Sequence, residues 1–438
     1  MKPARKTLPE VFSSHAPPEI FILKSILLGD FLQENYNCSL REVQVINRNF
    51  RAHWRLDKEI VFLNHGSFGA TPIPVMDKQR EIQGLIEREP VKFFMRDYEG
   101  FYERAQEALA GVVGAERDDI VFVPNATTGV NTALRAVPLS PGDEILVTNQ
   151  EYNACRNAVN EIAKERKAVV REVRLPFPVK SSEQVTETIV NSLTGRTRVF
   201  LIDHIVSQTA LVVDIEDIVR ELEDRDIETI VDGAHSVGMV PLNLEKLRPA
   251  FFTSNCHKWL CTPKGAAFLY ARKDMQNLVR PLVISHGANT PRKDKSRFFH
   301  EFSWTGTDDP SAYFSIPSAV DFLSSLLPGG LPALMERNRS LCLEARKIII
   351  GALGIEKPCP DEMVGSMASF PLPDAVSEPI APLFMDELQD ELFMRFRIEI
   401  PVMYWPKFPK RLLRISCQAY NSMDDYRKLC NALKEAGM

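Results

Sequence analysis

The densest chemistry in the chain lies in Thr253-Ser254-Asn255-Cys256-His257-Lys258-Trp259-Leu260, followed by the turn-like Pro263-Lys264-Gly265. A histidine and a tryptophan beside Lys258 suit an enclosed site better than a solvated face. Upstream stands Ile230-Val231-Asp232-Gly233-Ala234-His235, which sets a carboxylate at the end of a short apolar run of strand type. Active sites in open α/β sheets gather at the carboxyl ends of strands. A buried Asp needs a cationic partner, since otherwise it takes up a proton. A pyridinium nitrogen is one such partner, and a lysine that forms a Schiff base is its companion requirement. Asp232 with Lys258 therefore points to pyridoxal phosphate (PLP), although a plain Asp–Lys ion pair explains the same two residues.

A phosphate also has to be held. Pro124-Asn125-Ala126-Thr127-Thr128-Gly129-Val130-Asn131 reads as the joint between a strand and a helix. The unpaired backbone N–H groups of a helix start, together with its positive dipole end, form an anion site. Thr127 and Thr128 add hydroxyl donors, and an ordinary helix cap is the alternative reading. No Walker-type or dinucleotide-type glycine pattern competes with it. The eight cysteines are scattered, and the nearest pair, Cys256 and Cys261, has no second pair at metal-ligand spacing. We expect free thiols in a reducing compartment and no metal site.

The elements that must position these groups follow from the pattern of the whole chain. Short buried-type strands are expected at Asp119–Val123, Glu144–Thr148, Ala168–Arg174, Val199–Asp203, Thr229–Asp232 and Ala266–Tyr270. Helical segments are expected at Thr127–Arg135, Arg156–Arg166 and Ile215–Asp224, the last with Ile215, Ile218, Val219 and Leu222 at helical spacing. This β–α alternation predicts an α/β domain with a mainly parallel sheet between helices. After Pro328-Gly329-Gly330 the texture changes to one long helix over Leu331–Leu353 and a loop-rich, Pro-dense stretch over Lys357–Pro382. The expected division is an N-terminal extension over 1–55, a large cofactor-binding domain over 56–325 and a smaller C-terminal α+β domain over 326–438.

Composition bounds the class. With 45% hydrophobic and 25% charged residues over 438 positions, the chain has ordinary globular usage. Lys+Arg 53 against Asp+Glu 58 leaves a net charge of −5, with no basic excess to attract nucleic acid. The basic Arg292–Arg297 run reads as a solvated loop, and Phe93-Phe94 and Phe298-Phe299 as core or subunit contacts. The apolar stretch Ile20–Leu32 is broken by Lys24 and Asp30 and falls short of the ~20 residues of a membrane span. A docking helix or extension and a cytoplasmic, membrane-free protein are expected.

Taken together, the chain resembles the class V aminotransferase family of fold-type I PLP enzymes, and within it the isopenicillin-N epimerase-like group. The resemblance runs from about Phe62 to Tyr426 and rests on eight stretches in order: Leu63–Ala70, Asn125–Asn131, Glu151–Ala154, Asp203–Thr209, Val231–His235, Asn255–Leu260, Trp304–Thr307 and Arg414–Ser416. It implies that Lys258 carries the cofactor as an internal aldimine and moves the Cα proton, while Asp232 keeps the pyridine nitrogen protonated. By the same resemblance His235 and Ser207 lie near the ring oxygen, and Asp203 contacts the cofactor. Thr127, Thr128, Asn255 and His257 bind the phosphate. Gly306 and Thr307 reach the phosphate of a neighbouring subunit, which implies a homodimer. Asn64, His65 and Arg414 bind an amino-acid substrate, Arg414 gripping its carboxylate through a planar fork. Many relatives place a ring-stacking histidine where this chain has Tyr152-Asn153, and Tyr152 is the expected stacking group here.

The reaction is narrowed but not chosen. Arg397–Trp405, where related cysteine desulfurases carry a mobile persulfide-forming cysteine, has none. An epimerase or racemase acting through Lys258 is the first expectation. A C–S lyase or cysteine desulfhydrase working by β-elimination is the alternative, since both begin with loss of the Cα proton. Transamination is a third outcome, and a non-catalytic scaffold of the same fold is a reading of another class.

Overall fold

A computed structural model describes residues 50–378 and 386–438, so the expected docking helix near the N-terminus lies outside the described residues. In chain order the strands are β1 (Val61–Phe62), β2 (Ile120–Val123), β3 (Glu144–Thr148), β4 (Val169–Val173), β5 (Thr197–Asp203) and β6 (Glu228–Asp232). They continue as β7 (Phe251–Asn255), β8 (Ala267–Ala271), β9 (Met367–Leu372), β10 (Ile398–Glu399), β11 (Val402–Tyr404) and β12 (Arg411–Ser416).

A seven-stranded sheet runs in the order β2-β8-β7-β6-β5-β3-β4. The neighbours from β7 to β4 pair in parallel, whereas β8 is antiparallel to both β7 and β2. Successive side chains in a strand point to opposite faces, and both faces here are buried. In β5, Phe200 and Ile202 join one apolar cluster while Val199 and Leu201 join another. The helices Ala126–Ala136 and Asn153–Arg166 supply the second cluster with Val130, Leu134, Val159 and Ile162. The helix Ile215–Glu223 closes the first with Ile215, Ile218, Val219 and Leu222. This is the doubly covered, mostly parallel sheet that the alternation predicts, and the α/β architecture is that of fold-type I.

Beyond β1, β10, β11 and β12, for which no strand is expected from sequence, two further strands depart from expectation. Residues Phe251–Asn255 form a central strand buried at every position, although their run merges into the lysine segment and carries no alternation. Within the stretch read as loop-rich, Met367–Leu372 form β9 despite Pro371. β9 pairs with β12 in a three-stranded antiparallel sheet of order β11-β12-β9, and Pro is tolerated on such an edge strand. The long helix spans Gly330–Leu353, starting one residue before the expected Leu331. It packs with the helix Met423–Glu435 over this sheet through Cys342, Ile349, Tyr426 and Leu429.

The remaining pair matters for the site. β1 lies parallel to β10, and the backbone then stitches Leu63 N–H to Glu399 O at 2.9 Å and Ser416 N–H to Leu63 O at 2.9 Å. The segment 63–69 is thereby drawn from the small sheet toward the carboxyl ends of the large one. Among the described residues no single helix is long and apolar enough to cross a membrane.

Candidate active site

The carboxyl ends of β2, β3, β5, β6 and β7 converge on one cavity of about 150 Å³. Its wall includes Thr127, Tyr152, Asp203, Ser207, Asp232, His235, Asn255, His257 and Lys258, all expected from sequence. Ser67, Phe68, Asn125, Ala126, Ile205 and Ala234 complete it.

Lys258 follows β7 through a tight turn in which its N–H donates to Asn255 O at 3.3 Å. Its Nζ lies 3.0 Å from His235 Nε2, and the indole Nε1–H of Trp259 donates to His235 Nδ1 at 3.4 Å. An Nδ1 that accepts leaves the single proton of a neutral imidazole on Nε2. That proton then points at the lone pair of an uncharged Lys258 amine. The electrostatics agree: burial, followed by the nearby Arg414 guanidinium, pushes the Lys258 amine down to about 8. Burial, followed by Lys258, holds His235 well below the usual histidine range. The pair presents a neutral imidazole and an amine that gives up its proton more readily than an ordinary lysine.

Asp232 ends β6 with both oxygens occupied. Oδ1 accepts the N–H of Ala234 at 3.0 Å, and Oδ2 accepts the Cys155 thiol at 3.1 Å. One turn into its helix, Cys155 is brought by the Tyr152 corner directly behind the carboxylate. Ligand atoms of Glu151, Cys155 and Asp232 all lie within 4.8 Å of one another. Burial raises the Asp232 pKa, and it pushes those of Glu151 and Asp203 well above the carboxylate range. Glu151 and Asp203 face each other there as an interacting pair of buried carboxyl groups. So much carboxyl in so little water calls for a cation at the cavity floor. The protonated ring nitrogen of a pyridine cofactor fits that need.

The other end of the cavity suits an anion. Asn125 caps the helix Ala126–Ala136, its Oδ1 accepting Thr128 N–H at 2.9 Å. Asn255 Oδ1 accepts Ala126 N–H at 2.9 Å and so ties the end of β7 to the helix start. The positive end of the helix and Thr127 therefore face the cavity. His257 points Nδ1 at Ala266 O, 3.2 Å away, and burial lowers it to about 4. A dianion beside it would favour the protonated ring, whose Nε2–H can donate.

Arg414, buried in β12, sits behind Ser67 and Ser207 and, like His65, is not itself part of the cavity wall. Its NH1 donates to Ser207 O at 2.5 Å and to Ser207 Oγ at 3.2 Å, and its NH2 to Ser67 Oγ at 3.2 Å. Among the described residues its Nε has no hydrogen-bond partner, and burial lowers its pKa to about 10. A guanidinium in this state gains from a carboxylate ligand.

Other expected residues stand elsewhere. Thr128 spends its hydroxyl on Asn125 Oδ1 at 3.1 Å, a capping role outside the cavity wall. Asn64 bonds Glu399 Oε1 at 2.9 Å and accepts from Ser67 Oγ at 2.5 Å, so it braces the wall from behind. His65 is buried with Nε2 2.9 Å from Lys258 O, not in the cavity wall where a substrate contact would be. Gly306 and Thr307 are exposed and do not line the cavity. Sequence reasoning missed Cys155 and Trp259 as the partners of Asp232 and His235. The available signal was their place one turn after Tyr152 and directly after Lys258.

Comparison with known proteins extends these observations. The family model described as aminotransferase class-V matches residues 72–428. The chain is 32% identical over 401 residues to isopenicillin N epimerase of Amycolatopsis lactamdurans, covering 88% of this chain and 98% of that protein. It is 29% identical over 404 residues to a probable chloroplastic L-cysteine desulfhydrase of Arabidopsis thaliana, covering 86% and 83%. Among solved structures, a mutant of C-DES with glycine covalently linked to its PLP cofactor superposes with a TM-score of 0.72. That match is 18% identical and covers 87% of this chain and 98% of the other.

Proposed function

Because the chain belongs to the class V aminotransferase family of PLP-dependent enzymes, we propose that it acts at Cα of an amino acid as an epimerase, with Lys258 moving the proton. PLP is the cofactor, and when bound it supplies an electron sink for the charge left at Cα. The observation that carries the reading is the Lys258 amine, 3.0 Å from a neutral His235, in one cavity with Asp232.

Each side chain has a task in this scheme. Asp232, fixed by Ala234 and Cys155, would hold the ring nitrogen; behind it burial favours the protonated forms of Glu151 and Asp203, which leaves Asp232 as the carboxylate facing the ring. His235 and Ser207 would serve the ring oxygen, and Tyr152, 45% exposed in the cavity wall, is the aromatic group that would pack on the ring. Thr127, Asn255 and His257 hold the phosphate. Arg414 binds the substrate carboxylate, and its two serine contacts orient the guanidinium beforehand. Lys258, free of its proton, takes the one from Cα.

The second reading is a C–S lyase that expels a β-sulfur group after the same first step. The likeness to a desulfhydrase favours it. A persulfide route is disfavoured, because Cys417 is buried and accepts the Tyr426 hydroxyl at 2.8 Å. Incubation with candidate amino acids in D₂O separates the readings. Deuterium at Cα with inversion is the expected result, whereas pyruvate, ammonia and sulfide from cysteine establish the lyase. Neither outcome in a protein carrying PLP rejects both.

The assembly belongs to the same proposal. A homodimer would let Gly306 and Thr307 reach a partner's phosphate. The exposed apolar Leu278, Leu282, Val283 and Ile284 support a covered surface. A division near residue 325 into a large cofactor-binding domain and a smaller C-terminal one goes with it. So does a cytoplasmic location, which the seven buried free thiols of the described residues suit.

A further inference from the structure

A histidine with no exposure to solvent stands behind the catalytic lysine. His65 Nε2 lies 2.9 Å from the Lys258 carbonyl oxygen, and Nδ1 lies 2.8 Å from the Tyr420 hydroxyl. A carbonyl oxygen can only accept, so Nε2 carries the proton and Nδ1 accepts from Tyr420. Gln418 Nε2, 3.3 Å from His65 Nε2, has the Cys261 sulfur at 3.6 Å as its acceptor. Gln418 Oε1 in turn takes the Asn338 amide at 2.9 Å, which anchors the cluster to the long helix. Burial lowers His65 to about 3, which keeps it a neutral, single-proton ring. The imidazole also packs on Trp259, with ring centroids 4.9 Å apart. Trp259 is the residue whose N–H orients His235.

Two residues along, the same segment meets the carboxylate-binding group, since Ser67 Oγ accepts from Arg414 NH2. At its end Gly69, with φ +70°, runs against the main chain of His257 and Lys258. The segment thus touches both the lysine and the arginine.

We propose that His65 is a positioning residue: its Nε2–H, oriented by Tyr420, holds the Lys258 main chain and so aims the lysine amine. This rests on the reading of Lys258 as the cofactor-bearing lysine and goes beyond it. A ligand role for His65 is replaced by one exerted through the backbone.

The test uses the holoenzyme and follows the pH titration of its visible cofactor band together with kcat and KM. His65→Gln can still offer an N–H to the Lys258 carbonyl, whereas the shorter His65→Asn cannot. His65→Asn should shift the titration and lower kcat by about tenfold, the value of one lost hydrogen bond, with KM changed less than about twofold. His65→Gln should restore most of this. Tyr420→Phe should shift the same titration by a smaller amount and carries the test if His65→Asn does not fold. A KM increase with kcat and the titration unchanged would return His65 to the substrate and overturn the proposal. Indifference of the titration to both His65→Asn and Tyr420→Phe overturns it equally. If the band survives Lys258→Ala, the assignment of Lys258 fails and this inference falls with it. If the band needs Lys258 but ignores His65, this inference alone fails.

Discussion

Lys258 shows how folding lowers the proton affinity of an ordinary amine. Its proton affinity is lowered to about 8 from the usual 10.5 by burial and by the Arg414 charge. Between those values the unfolded chain holds a proton that the folded chain does not. This group's contribution to apo-protein stability therefore rises with pH across that window. The kinetic consequence is easier to see. Only the free amine reacts with a carbonyl, so the rate at which the apo-protein captures PLP should rise about tenfold per pH unit below 8 and level off above it. Stopped-flow absorbance at a series of pH values measures it, and a rate still climbing about tenfold per unit from pH 8 to 10 would count against a depressed Lys258. Cys155 illustrates the complementary device. Its thiol donates to Asp232 while burial and the surrounding carboxyl groups keep it protonated, so it acts as a hydrogen-bond donor and not as a nucleophile.

At the scale of elements, the cavity exists because strands end together and short connections pass close to them. Gly129 lets the helix Ala126–Ala136 lie against β7, since a Cβ there would stand 2.0 Å from Thr253 Oγ1. Gly69 does the same for the segment 63–69. Its left-handed φ of +70° disfavours any side chain, and a Cβ would come 2.1 Å from His257 O and 3.0 Å from Lys258 Cα. Gly69→Ala should therefore cost about 1–3 kcal/mol in stability and reduce cofactor occupancy by displacing the lysine turn. Thermal unfolding of the apo-protein and absorbance of the holo-protein check the two parts. An alanine variant with an unchanged melting temperature and a full cofactor band would show that the segment yields freely.

The whole molecule raises the question of what the exposed Gly306-Thr307 loop and the apolar Leu282-Val283-Ile284 run are for. In a closed two-fold dimer each site would take Lys258 from one protomer and Thr307 from the other. Mixing Lys258→Ala with a Thr307→Ala variant that is itself nearly inactive should then restore activity. Half of the dimers would be mixed and one of their two sites intact, so recovery to roughly a quarter of wild type is expected. Activity that stays at the sum of the two variants would mean that each site is complete within one chain. Sedimentation of Ile284→Glu, which sets a charge in the apolar run, reports independently on the same face.

What the sequence determined by itself is the chemistry and its ordering along the chain. Asp232 and Lys258 were legible because a carboxylate at a strand end and a lysine between His and Trp are local signals. Most strands of the sheet were legible because apolar runs bounded by turns repeat through the chain. β7 was not, because a fully buried strand has no alternation to mark it and its end is also the start of the lysine motif. β9 was hidden by its proline and by its place in a loop-rich stretch. The tertiary structure alone decided who holds whom. His65 and Lys258 are 193 positions apart in sequence, and Ser67 and Arg414 are 347 apart. No local pattern encodes such meetings; they arise when β1 pairs with β10 and the strand ends converge. The same packing places Asn64, His65 and Thr128 outside the cavity wall, each hydrogen-bonded to a neighbour of that wall. Residue types limit which reactions are available, but burial and hydrogen-bond partners set the protonation and aim of each group, and those exist only in the folded chain.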